Sequence, residues 1–404
     1  MKGRLQLWSY NYEPEPTGVG PVSASLARLL KERGWEVDAV AAHPHYPEPR
    51  WGTRWVPYRE IRDGIGILRL PLWVGRETAG QRLRQEASFT AALSAALPIL
   101  GRPDALVVAS PSFPALAAAI LNARLRRLPW VLWLHDLLPD GAVATGLLDE
   151  GSLVLRGSRK LERAAYRSAD RIVVLSSPFA TRLRSRGVPD QKIDLIYDPA
   201  TRGMRDLPPV RDKARAPRIL SMGNIGHTQG LAPLVAAFER AEEMQALGAR
   251  LVITGNGVAA EDVERVITSE RTRMLGVVDD DRLEQELRSA TMALVSQSYA
   301  GTEFNLPSKL MNFMAYGLPI IAAVNPRGEV ARIVQEADAG WVINSAEPDA
   351  LPRVIAEAHA DQSELERRAT ASRSYAEEHF SPAAFGDSFD SLLQSMISKA
   401  RSGH

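Results

Sequence analysis

The chain has 404 residues, enough for two or three domains that each bury a core of their own. Hydrophobic residues make up 45% and charged residues 24%, which excludes a disordered protein, and 49 basic against 48 acidic side chains exclude a protein whose overall charge attracts nucleic acid. There is no cysteine, so disulfide scaffolds, thiolate metal sites and cysteine nucleophiles are excluded, and a reducing compartment is indicated.

Targeting and membrane signals are weak. The N-terminal apolar stretch is short and ends before Glu13, so it does not predict a signal peptide. Residues 105–123 carry no charge, but Pro111 and Pro114 argue against a membrane span and predict a buried strand, a turn and an Ala-rich helix. The sequence therefore favours a cytoplasmic protein.

Apolar strands alternate with helical patterns along the first half of the chain. A helix is predicted over 21–34, with Gly34 as its stop, after a glycine- and proline-rich loop. Residues 198–218 are rich in proline and charge, which is typical of a linker. The strands predicted before this linker are 4–10, 35–42, 105–110, 130–135, 171–176 and 192–197.

The same alternation restarts after the linker, which predicts parallel sheets with right-handed crossovers. The predicted strands here are 219–223, 251–255, 273–278, 292–297, 319–324 and 340–343. We therefore expect two doubly wound lobes, 1–204 and 205–380, with ligand at the carboxyl ends of the strands in the cleft between them. Residues 381–404 form an amphipathic segment without a following strand, a candidate for crossing back onto the first lobe.

Two glycine-rich loops are candidate anion sites. Gly18 and Gly20 lie between the first strand and the first helix, where backbone N–H groups can approach a phosphate; a tight turn explains them equally well. Gly255, Asn256 and Gly257 begin a G-x-G-x-x-A pattern, the fingerprint of a dinucleotide site. An NAD-dependent oxidoreductase is thus one alternative, although the strand before this pattern is not the first of its lobe.

Three consecutive aspartates, Asp279 to Asp281, follow an apolar run in the second lobe. Such a cluster can hold a divalent metal and a nucleotide diphosphate. A helix N-cap is the favoured interpretation, because carboxylates near a helix N-terminus are stabilised by the helix dipole.

The segment from Tyr299 is the most informative. Pro307 predicts the first turn of a helix, which puts the Ser308 hydroxyl and the Lys309 ammonium at a helix N-terminus, where an anion is favoured. The next strand leads to a second helix that begins near Glu329. Both of these strand-to-helix connections are predicted at the same edge of the sheet, where they could bind one ligand together. The alternative is that they are two ordinary connections without a ligand.

This segment resembles the donor-nucleotide motif of the retaining glycosyltransferases of family 4. The similarity covers essentially the whole chain and includes PEPTGVG, HPHYP at 43–47, DLLPD at 136–140 and GNIGH at 223–227. The branch is similar to transferases, fucosaminyltransferase-like ones among them, that extend bacterial O-antigen and exopolysaccharide units. The resemblance implies an α/β protein of the GT-B fold, two Rossmann-like lobes facing a cleft.

The chain departs from the wider family at its paired side chains. Most members have a Glu-x7-Glu pair, but here Phe304 and Asn312 occupy its two positions, and Glu303 lies one place before the first. Most members also bind the donor diphosphate with an Arg and a Lys, and here these positions hold Asn224 and Gln229. The resemblance therefore implies that Lys309, helped by His227, carries the phosphate charge.

Asn312 is expected to hydrogen-bond a ribose hydroxyl, and Glu303 and Glu329 are both candidates for contacting the donor sugar. The expected catalytic residues are Lys309, Asp136, His135 and Glu329. The residues expected to bind the nucleotide sugar are Gly18, Gly20, Asn224, Gly226, His227, Gly255, Asn256, Gly257, Glu303, Leu306, Pro307, Ser308, Lys309, Asn312 and Glu329.

The implied reaction moves a hexosyl or N-acetylhexosaminyl group from a UDP-linked donor, with retention and no obligatory metal, to a polyprenyl-diphosphate-linked saccharide. His135 and Asp136 end a predicted strand and are candidates for orienting or deprotonating the acceptor; a buried histidine and a helix cap are the alternative. A non-enzymatic two-lobed sugar-binding protein is the rival from another class.

Membrane attachment is a further hypothesis. Basic residues dominate between Arg156 and Lys192, and an apolar group precedes a helix that carries Arg82 and Arg84. A solvated helix face is the default explanation of such charge. Peripheral attachment to the anionic inner leaflet is the functional alternative, since a polyprenyl-linked acceptor would lie there. The apolar group consists of Leu70, Leu72, Trp73 and Val74.

Overall fold

The computed structural model describes residues 2–16, 18–45, 51, 54–75, 78–110, 115–135, 153–201, 216–298 and 306–402. The chain divides into two compact units, each with a sheet of its own. The first unit contains Met1–Leu175, Phe179–Asp198 and Phe385–His404, and the second contains Ser176–Pro178 and Pro199–Ala384.

The first unit is built on an eight-stranded sheet of order β3-β4-β2-β1-β5-β6-β7-β8. Neighbouring strands are parallel except β3 and β4, and the direction of winding reverses between β1 and β5. Loops at such a reversal diverge and leave room for a ligand. The strands are β1 (Arg4–Ser9), β2 (Glu36–Ala42), β3 (Tyr58–Arg62), β4 (Ile65–Leu70), β5 (Ala105–Ser110), β6 (Trp130–Leu134), β7 (Arg171–Val174) and β8 (Ile193–Leu195).

The β3–β4 hairpin is the exception to the predicted parallel winding. Its turn consists of Asp63 and Gly64, whose φ angles of 51° and 69° are those of a type I′ turn, the connection that suits the twist of antiparallel strands. The prediction of an apolar surface group at residues 70–74 is wrong for two of its members. Leu70, the last residue of β4, and Leu72 are buried in the core, whereas Trp73 is 46% exposed.

Helices cover both faces of this sheet. Four helices lie on the face that buries Trp130, and α1 covers the opposite face, because each helix buries one apolar side. Helix α3 is the next described element after β5 along the chain, and it contacts both α2 and α4. The helices are α1 (Val19–Glu32), α2 (Ala79–Ala96), α3 (Ala115–Arg126), α4 (Leu153–Ser168) and α5 (Ser177–Ser185).

The second unit has a six-stranded parallel sheet of order β11-β10-β9-β12-β13-β14, which reverses between β9 and β12. The strands are β9 (Arg218–Met222), β10 (Arg250–Thr254), β11 (Thr272–Met274), β12 (Met292–Ser296), β13 (Ile320–Val324) and β14 (Gly340–Asn344). The helices of this unit are α6 (Leu231–Arg240), α7 (Glu242–Ala246), α8 (Ala260–Glu264), α9 (Asp280–Ser289), α10 (Ser308–Ala315), α11 (Glu329–Glu336), α12 (Ala350–Ala360) and α13 (Gln362–His379). A further helix, α14 (Pro382–Ser402), belongs to the first unit from Phe385 onward.

The last helix, α14, packs on the sheet of the first unit beside α1. Phe385 and Phe389 stack against Trp133 with ring centroids 5.7 and 5.2 Å away, and the Trp35 indole N–H donates to Asp390 at 2.7 Å. Buried aromatic contacts and a shared hydrogen bond thus hold this helix.

The uncharged stretch 105–123 forms β5 and most of α3, as predicted. Among the helices that the structure describes, none has the length and apolar character needed to cross a bilayer. The two winding reversals confirm the prediction of two doubly wound sheets.

Candidate functional site

The winding reversal of the second sheet brings the loops after β9, β12 and β13 together. Ser298 after β12 donates its N–H to the carbonyl of Thr228 in the β9 loop at 2.7 Å, and Gln297 donates to Ala323 of β13 at 3.0 Å. These loops lie at the carboxyl edge of the parallel strands, where open α/β sheets bind their ligands.

The loop after β10 packs against this group through its glycines. A Cβ at Gly255 would collide with the carbonyl oxygen of Gly223, and a Cβ at Gly257 would collide with the carbonyl oxygen of Ile225. The N–H of Ile225 donates to the carbonyl of Asn256 at 3.0 Å. The close approach of two backbones therefore accounts for the G-N-G pattern, and the pattern follows the second strand of the unit rather than the first.

Lys309 lies in the first turn of α10, after the N-cap residue Pro307, and α10 is the next described helix after β12 along the chain. Its ammonium makes no hydrogen bond or ion pair within the described part of the chain, and burial lowers the pKa of Lys309 to about 8. A partly buried cation without a counter-charge is unfavourable by itself, so this position suits an anion that arrives from outside.

The backbone around Lys309 adds further donors. The N–H groups of Ser308 and Lys309 belong to the first helical turn, where no preceding carbonyl within the helix can accept them. These groups also form the positive end of the helix dipole. Ser308, Lys309 and the helix end together form a cradle with the chemistry of a phosphate site.

The β9 loop places a second basic side chain at this edge. His227 is exposed, and its Nδ1 lies 4.0 Å from the Asp262 carboxylate. The neighbouring Gln229 accepts a hydrogen bond from the N–H of Gly226 at 2.9 Å, which fixes the loop, and Asn224 is exposed beside it. A cavity of 170 Å³ lined by Gly226 and His227 adjoins this loop and can hold only part of a nucleotide.

Two predicted ligand contacts are engaged by protein groups. Asn312 accepts hydrogen bonds at its Oδ1 from the N–H and the hydroxyl of Thr201, at 3.0 and 3.3 Å. Glu329 is buried, forms a two-pronged ion pair with Arg332 at 2.9 Å for each oxygen, and also accepts the N–H of Ser177 at 3.1 Å. Sequence reasoning did not foresee these partners, and both roles toward the donor stay predictions.

Several predicted residues are placed elsewhere or lie outside the described residues. Asp136 and Glu303 are outside them, as is Phe304, whereas Leu306 and Pro307 lead directly into α10. Gly18 and Gly20 belong to the first unit, after β1 at its winding reversal. Gly18 has a φ of 70°, and a Cβ at Gly20 would lie 3.3 Å from the backbone of Tyr12, so local geometry explains both glycines.

His135 follows β6 in the first unit and lies beside Asp198, a residue that the sequence did not single out. His135 Nδ1 is 3.7 Å from Asp198 Oδ2, and the other polar atom of each side chain is buried without a hydrogen-bond partner in the described structure. Burial lowers the pKa of His135 to about 3 and raises the pKa of Asp198 to about 7. The pair offers to a polar ligand a neutral imidazole and a carboxyl that gains and loses its proton near pH 7. The position of Asp198 after β8 was its only sequence signal.

Two further residues in motifs that the sequence offered, His45 and Asp279, make contacts within the protein. The Nδ1 atom of His45 is within hydrogen-bond distance of the His43 carbonyl oxygen, at 2.9 Å, and lies 3.1 Å from Oε1 of Glu15, so these contacts brace the loop after β1. Asp279 caps α9 by accepting the N–H of Arg282 at 2.8 Å, so the N-cap interpretation is confirmed. Among the residues that the structure describes, no cluster of three or more His, Cys, Asp or Glu could hold a metal.

Comparison with known families decides the class of the protein. A model described as "Glycosyl transferase 4-like domain" matches residues 17–199, and one described as "Glycosyl transferases group 1" matches residues 216–361. The chain belongs to the GT-B glycosyltransferases. This confirms the predicted resemblance and the predicted transferase activity. The two alternatives, an oxidoreductase and a non-enzymatic sugar-binding protein, are therefore set aside.

Individual relatives agree with this assignment. The chain is 25% identical to WcaI of Escherichia coli, named as a colanic acid biosynthesis glycosyl transferase, over 382 residues that cover 87% of this chain and 90% of the relative. It is 27% identical to WbjE of Pseudomonas aeruginosa, named as a glycosyltransferase, over 56% of this chain and 59% of that protein.

Solved structures confirm the fold. Sucrose-phosphate synthase from Thermosynechococcus elongatus superposes with a TM-score of 0.70 at 20% identity, over 98% of this chain and 99% of that one. HepE from Anabaena in complex with UDP-glucose superposes with a TM-score of 0.66 at 14% identity, over 97% of this chain and 100% of that one.

Proposed function

We propose that this glycosyltransferase moves a hexosyl or N-acetylhexosaminyl group from a UDP-linked donor to a lipid-linked saccharide, with retention of the anomeric configuration. The observation that carries the proposal is Lys309, a partly buried ammonium without a partner among the described residues, held at a helix N-terminus beside the winding reversal of the second sheet. UDP as the nucleotide is supported by the HepE complexes with UDP and with UDP-glucose.

The second unit binds the donor in this proposal. When the bond between sugar and diphosphate breaks, negative charge grows on the departing UDP. In this proposal Lys309 and the N–H groups of the first turn of α10 face that charge from the positions they hold in the free protein, so they stabilise it with little reorganisation. His227 supplies a second donor from the β9 loop. Because these groups supply the positive charge, we expect no obligatory metal ion.

The first unit binds the acceptor. His135 is neutral near pH 7 because burial lowers its pKa to about 3, so its ring can accept a hydrogen bond from an acceptor hydroxyl. Asp198, whose pKa is raised to about 7, can exchange a proton with the acceptor near neutral pH. Asp136, next to His135 along the chain, stays a candidate for the same task.

We infer that the product belongs to a bacterial surface polysaccharide such as an O-antigen or exopolysaccharide. The name of WcaI, which matches along most of both chains, supports this pathway class. Assembly on a polyprenyl diphosphate would place the acceptor at the inner face of the plasma membrane, and the enzyme would work there as a peripheral protein.

A thermal-shift panel tests the donor. UDP, GDP, ADP and NAD are each added with and without EDTA, because a ligand that binds only the folded state raises the melting temperature. Stabilisation by UDP that survives EDTA is the expected result. Stabilisation by GDP alone would contradict the choice of nucleotide, and a shift with NAD but with no mononucleotide would contradict the donor class.

The stereochemistry is tested with the product itself. Proton NMR of the newly formed linkage reports the anomeric configuration while turnover proceeds. We expect the configuration of the donor to be preserved; an inverted linkage in the first product formed would overturn the retaining mechanism.

A further inference from the structure

Helix α4 of the first unit carries five basic side chains on its exposed side. Their spacing of three or four residues puts them within about one third of the helix circumference. The opposite side of α4, with Leu155, Ala165 and Tyr166, is buried in the core. We refer to the exposed set as the α4 basic stripe: Arg156, Arg159, Lys160, Arg163 and Arg167.

The α4 basic stripe lacks acidic neighbours. None of its side chains forms an ion pair in the part of the chain that the structure describes; Arg163 and Arg167 donate only to backbone carbonyls one helical turn earlier, at 3.2 Å. The one acidic residue of α4, Glu162, is buried and paired with Arg186 at 2.8 Å. Like charges at this spacing repel each other weakly, and an external anion would relieve that repulsion.

Exposed apolar side chains lie on the adjacent helices. Helix α3 packs against α4 on the same face of the sheet and exposes Leu121 and Leu125, at 49% and 74%. Helix α2 packs against the other side of α3 and exposes Leu83 at 50%, between Arg82 and Arg84. Along α2 and α3 the only acidic residue is Glu86.

A pair of tryptophans continues this surface at the start of α2. Trp55 and Trp73 are 61% and 46% exposed and contact each other edge to face with centroids 5.6 Å apart. The guanidinium of Arg84 lies 5.5 Å from the centre of the Trp73 ring. Exposed tryptophan beside arginine is typical of residues that sit at the boundary between lipid headgroups and acyl chains.

We propose that the outer face of the α2–α3–α4 layer docks on an anionic lipid bilayer. The α4 basic stripe would bind headgroup phosphates, and Leu83, Leu125 and Trp73 would enter the boundary of the acyl chains. Cations interspersed with leucine and tryptophan favour a bilayer over nucleic acid, which offers no apolar phase. The proposal rests on the proposed function, because a lipid-linked acceptor requires the enzyme at a membrane.

Vesicle co-sedimentation tests this docking. The native chain is mixed with vesicles of phosphatidylglycerol and phosphatidylcholine, or of phosphatidylcholine alone, at low and high salt. The test variant combines Arg156→Gln, Arg159→Gln and Arg163→Gln. Each charge near an anionic surface is worth roughly a fivefold change in affinity, so this variant is expected to bind anionic vesicles about a hundredfold more weakly.

A matched control removes three arginines from the second unit, through Arg250→Gln, Arg273→Gln and Arg353→Gln. These side chains are exposed and likewise form no ion pair with the described residues, so binding is expected to stay within about twofold of the native chain. Leu125→Ser is expected to weaken binding to anionic vesicles about tenfold without changing the charge.

Three results would overturn the docking surface. They are no binding of the native chain to anionic vesicles at low salt, equal loss in both triple variants, or undiminished binding of the α4 triple variant. The UDP thermal shift of the same variants separates the two proposals. Vesicle binding without any UDP shift refutes the donor assignment alone, and a UDP shift without vesicle binding refutes the docking surface alone.

Discussion

Replacing Lys309 by methionine should make the free protein more stable and the enzyme nearly inactive. Methionine keeps the length of the side chain but removes the charge that burial opposes. The lowering of the Lys309 pKa from 10.5 to about 8 corresponds to about 3 kcal/mol of unfavourable free energy for holding the ammonium in place. Because the side chain is partly open to water, we expect a gain of about 1–3 kcal/mol for Lys309→Met at pH 7, or several degrees in melting temperature.

The pH dependence of this gain has a defined sign. Below pH 8 the lysine is charged in the folded and the unfolded states, and the folded state carries the whole penalty. As pH rises from about 8 to 10.5, the folded state releases the proton that the unfolded state still holds, so the native protein regains stability. The stability difference between the variant and the native chain should therefore be largest below pH 8 and vanish near pH 10.5.

Denaturation curves with and without UDP measure both halves of the prediction. A UDP concentration of about 100 times the dissociation constant should stabilise the native chain by roughly 2.7 kcal/mol and the variant far less. Turnover should fall by about 10² to 10³, the usual effect of losing one group that stabilises developing charge. Lys399→Met, an exposed lysine on α14, is the matched control and should change neither quantity.

A Lys309→Met variant that is less stable than the native chain at pH 7 and keeps its UDP shift would refute the assigned role of Lys309. That outcome would mean that the ammonium is satisfied within the protein and has no anion to bind. Lower stability combined with a lost UDP shift would instead indicate that the helix N-terminus itself was damaged, and circular dichroism of the variant would detect this.

Three further predictions follow from the same structure. In calorimetry, the affinity of the native chain for UDP should fall by up to tenfold per pH unit above pH 8, as Lys309 loses its proton. The affinity of Lys309→Met for UDP should not change with pH over this range. A pH-independent affinity in the native chain would contradict the phosphate contact. In urea titration, Gly255→Ala should lower the free energy of unfolding by about 2 kcal/mol or more, because a Cβ there collides with the Gly223 carbonyl. The control Gly276→Ala, at a position with a positive φ but open space around it, should lower it by about 1 kcal/mol. Equal costs would contradict the packing role of the G-N-G loop. Phe389→Ala should cost about 3–5 kcal/mol in the same titration because its ring is fully buried against Trp133, and a cost under about 1 kcal/mol would show that α14 does not pack there in solution.

Most strands could be predicted because a parallel strand buried on both faces is a continuous apolar run. Strands β5, β6 and β13 are of this kind and were found within a residue or two. Strands β3 and β4 were both missed. Strand β3 lies at the edge of its sheet and exposes charged side chains, so its composition is that of a loop, and Gly66 and Arg69 interrupt the apolar run of β4. The Asp63–Gly64 pair between β3 and β4 was the available signal for this hairpin.

The candidate site was predictable only where its chemistry is local. Lys309 follows a strand and begins a helix, so its position could be inferred from neighbouring residues alone. The pairing of His135 with Asp198 joins residues far apart in sequence, and nothing but the order of the strands brings them within 3.7 Å. The ion pair between Glu329 and Arg332 has helical spacing and was open to prediction, but the hydrogen bonds that Asn312 accepts from Thr201 depend on tertiary packing.

Unbalanced positive charge connects the two proposals. The chain as a whole has a net charge of +1, and many of its arginines are paired, such as Arg171 with Asp194 and Arg218 with Glu286. Against that background, Lys309, a partly buried cation without a partner among the described residues, costs folding free energy that a bound anion would return. The α4 basic stripe costs little for each side chain because water screens it, but its members share one side of a helix with exposed leucines nearby. Burial therefore distinguishes the proposed site for a small anionic ligand at Lys309 from the proposed surface for an extended anionic partner at α4. For the same reason, one substitution should suffice to abolish binding of the small ligand, whereas several are needed to abolish docking through α4.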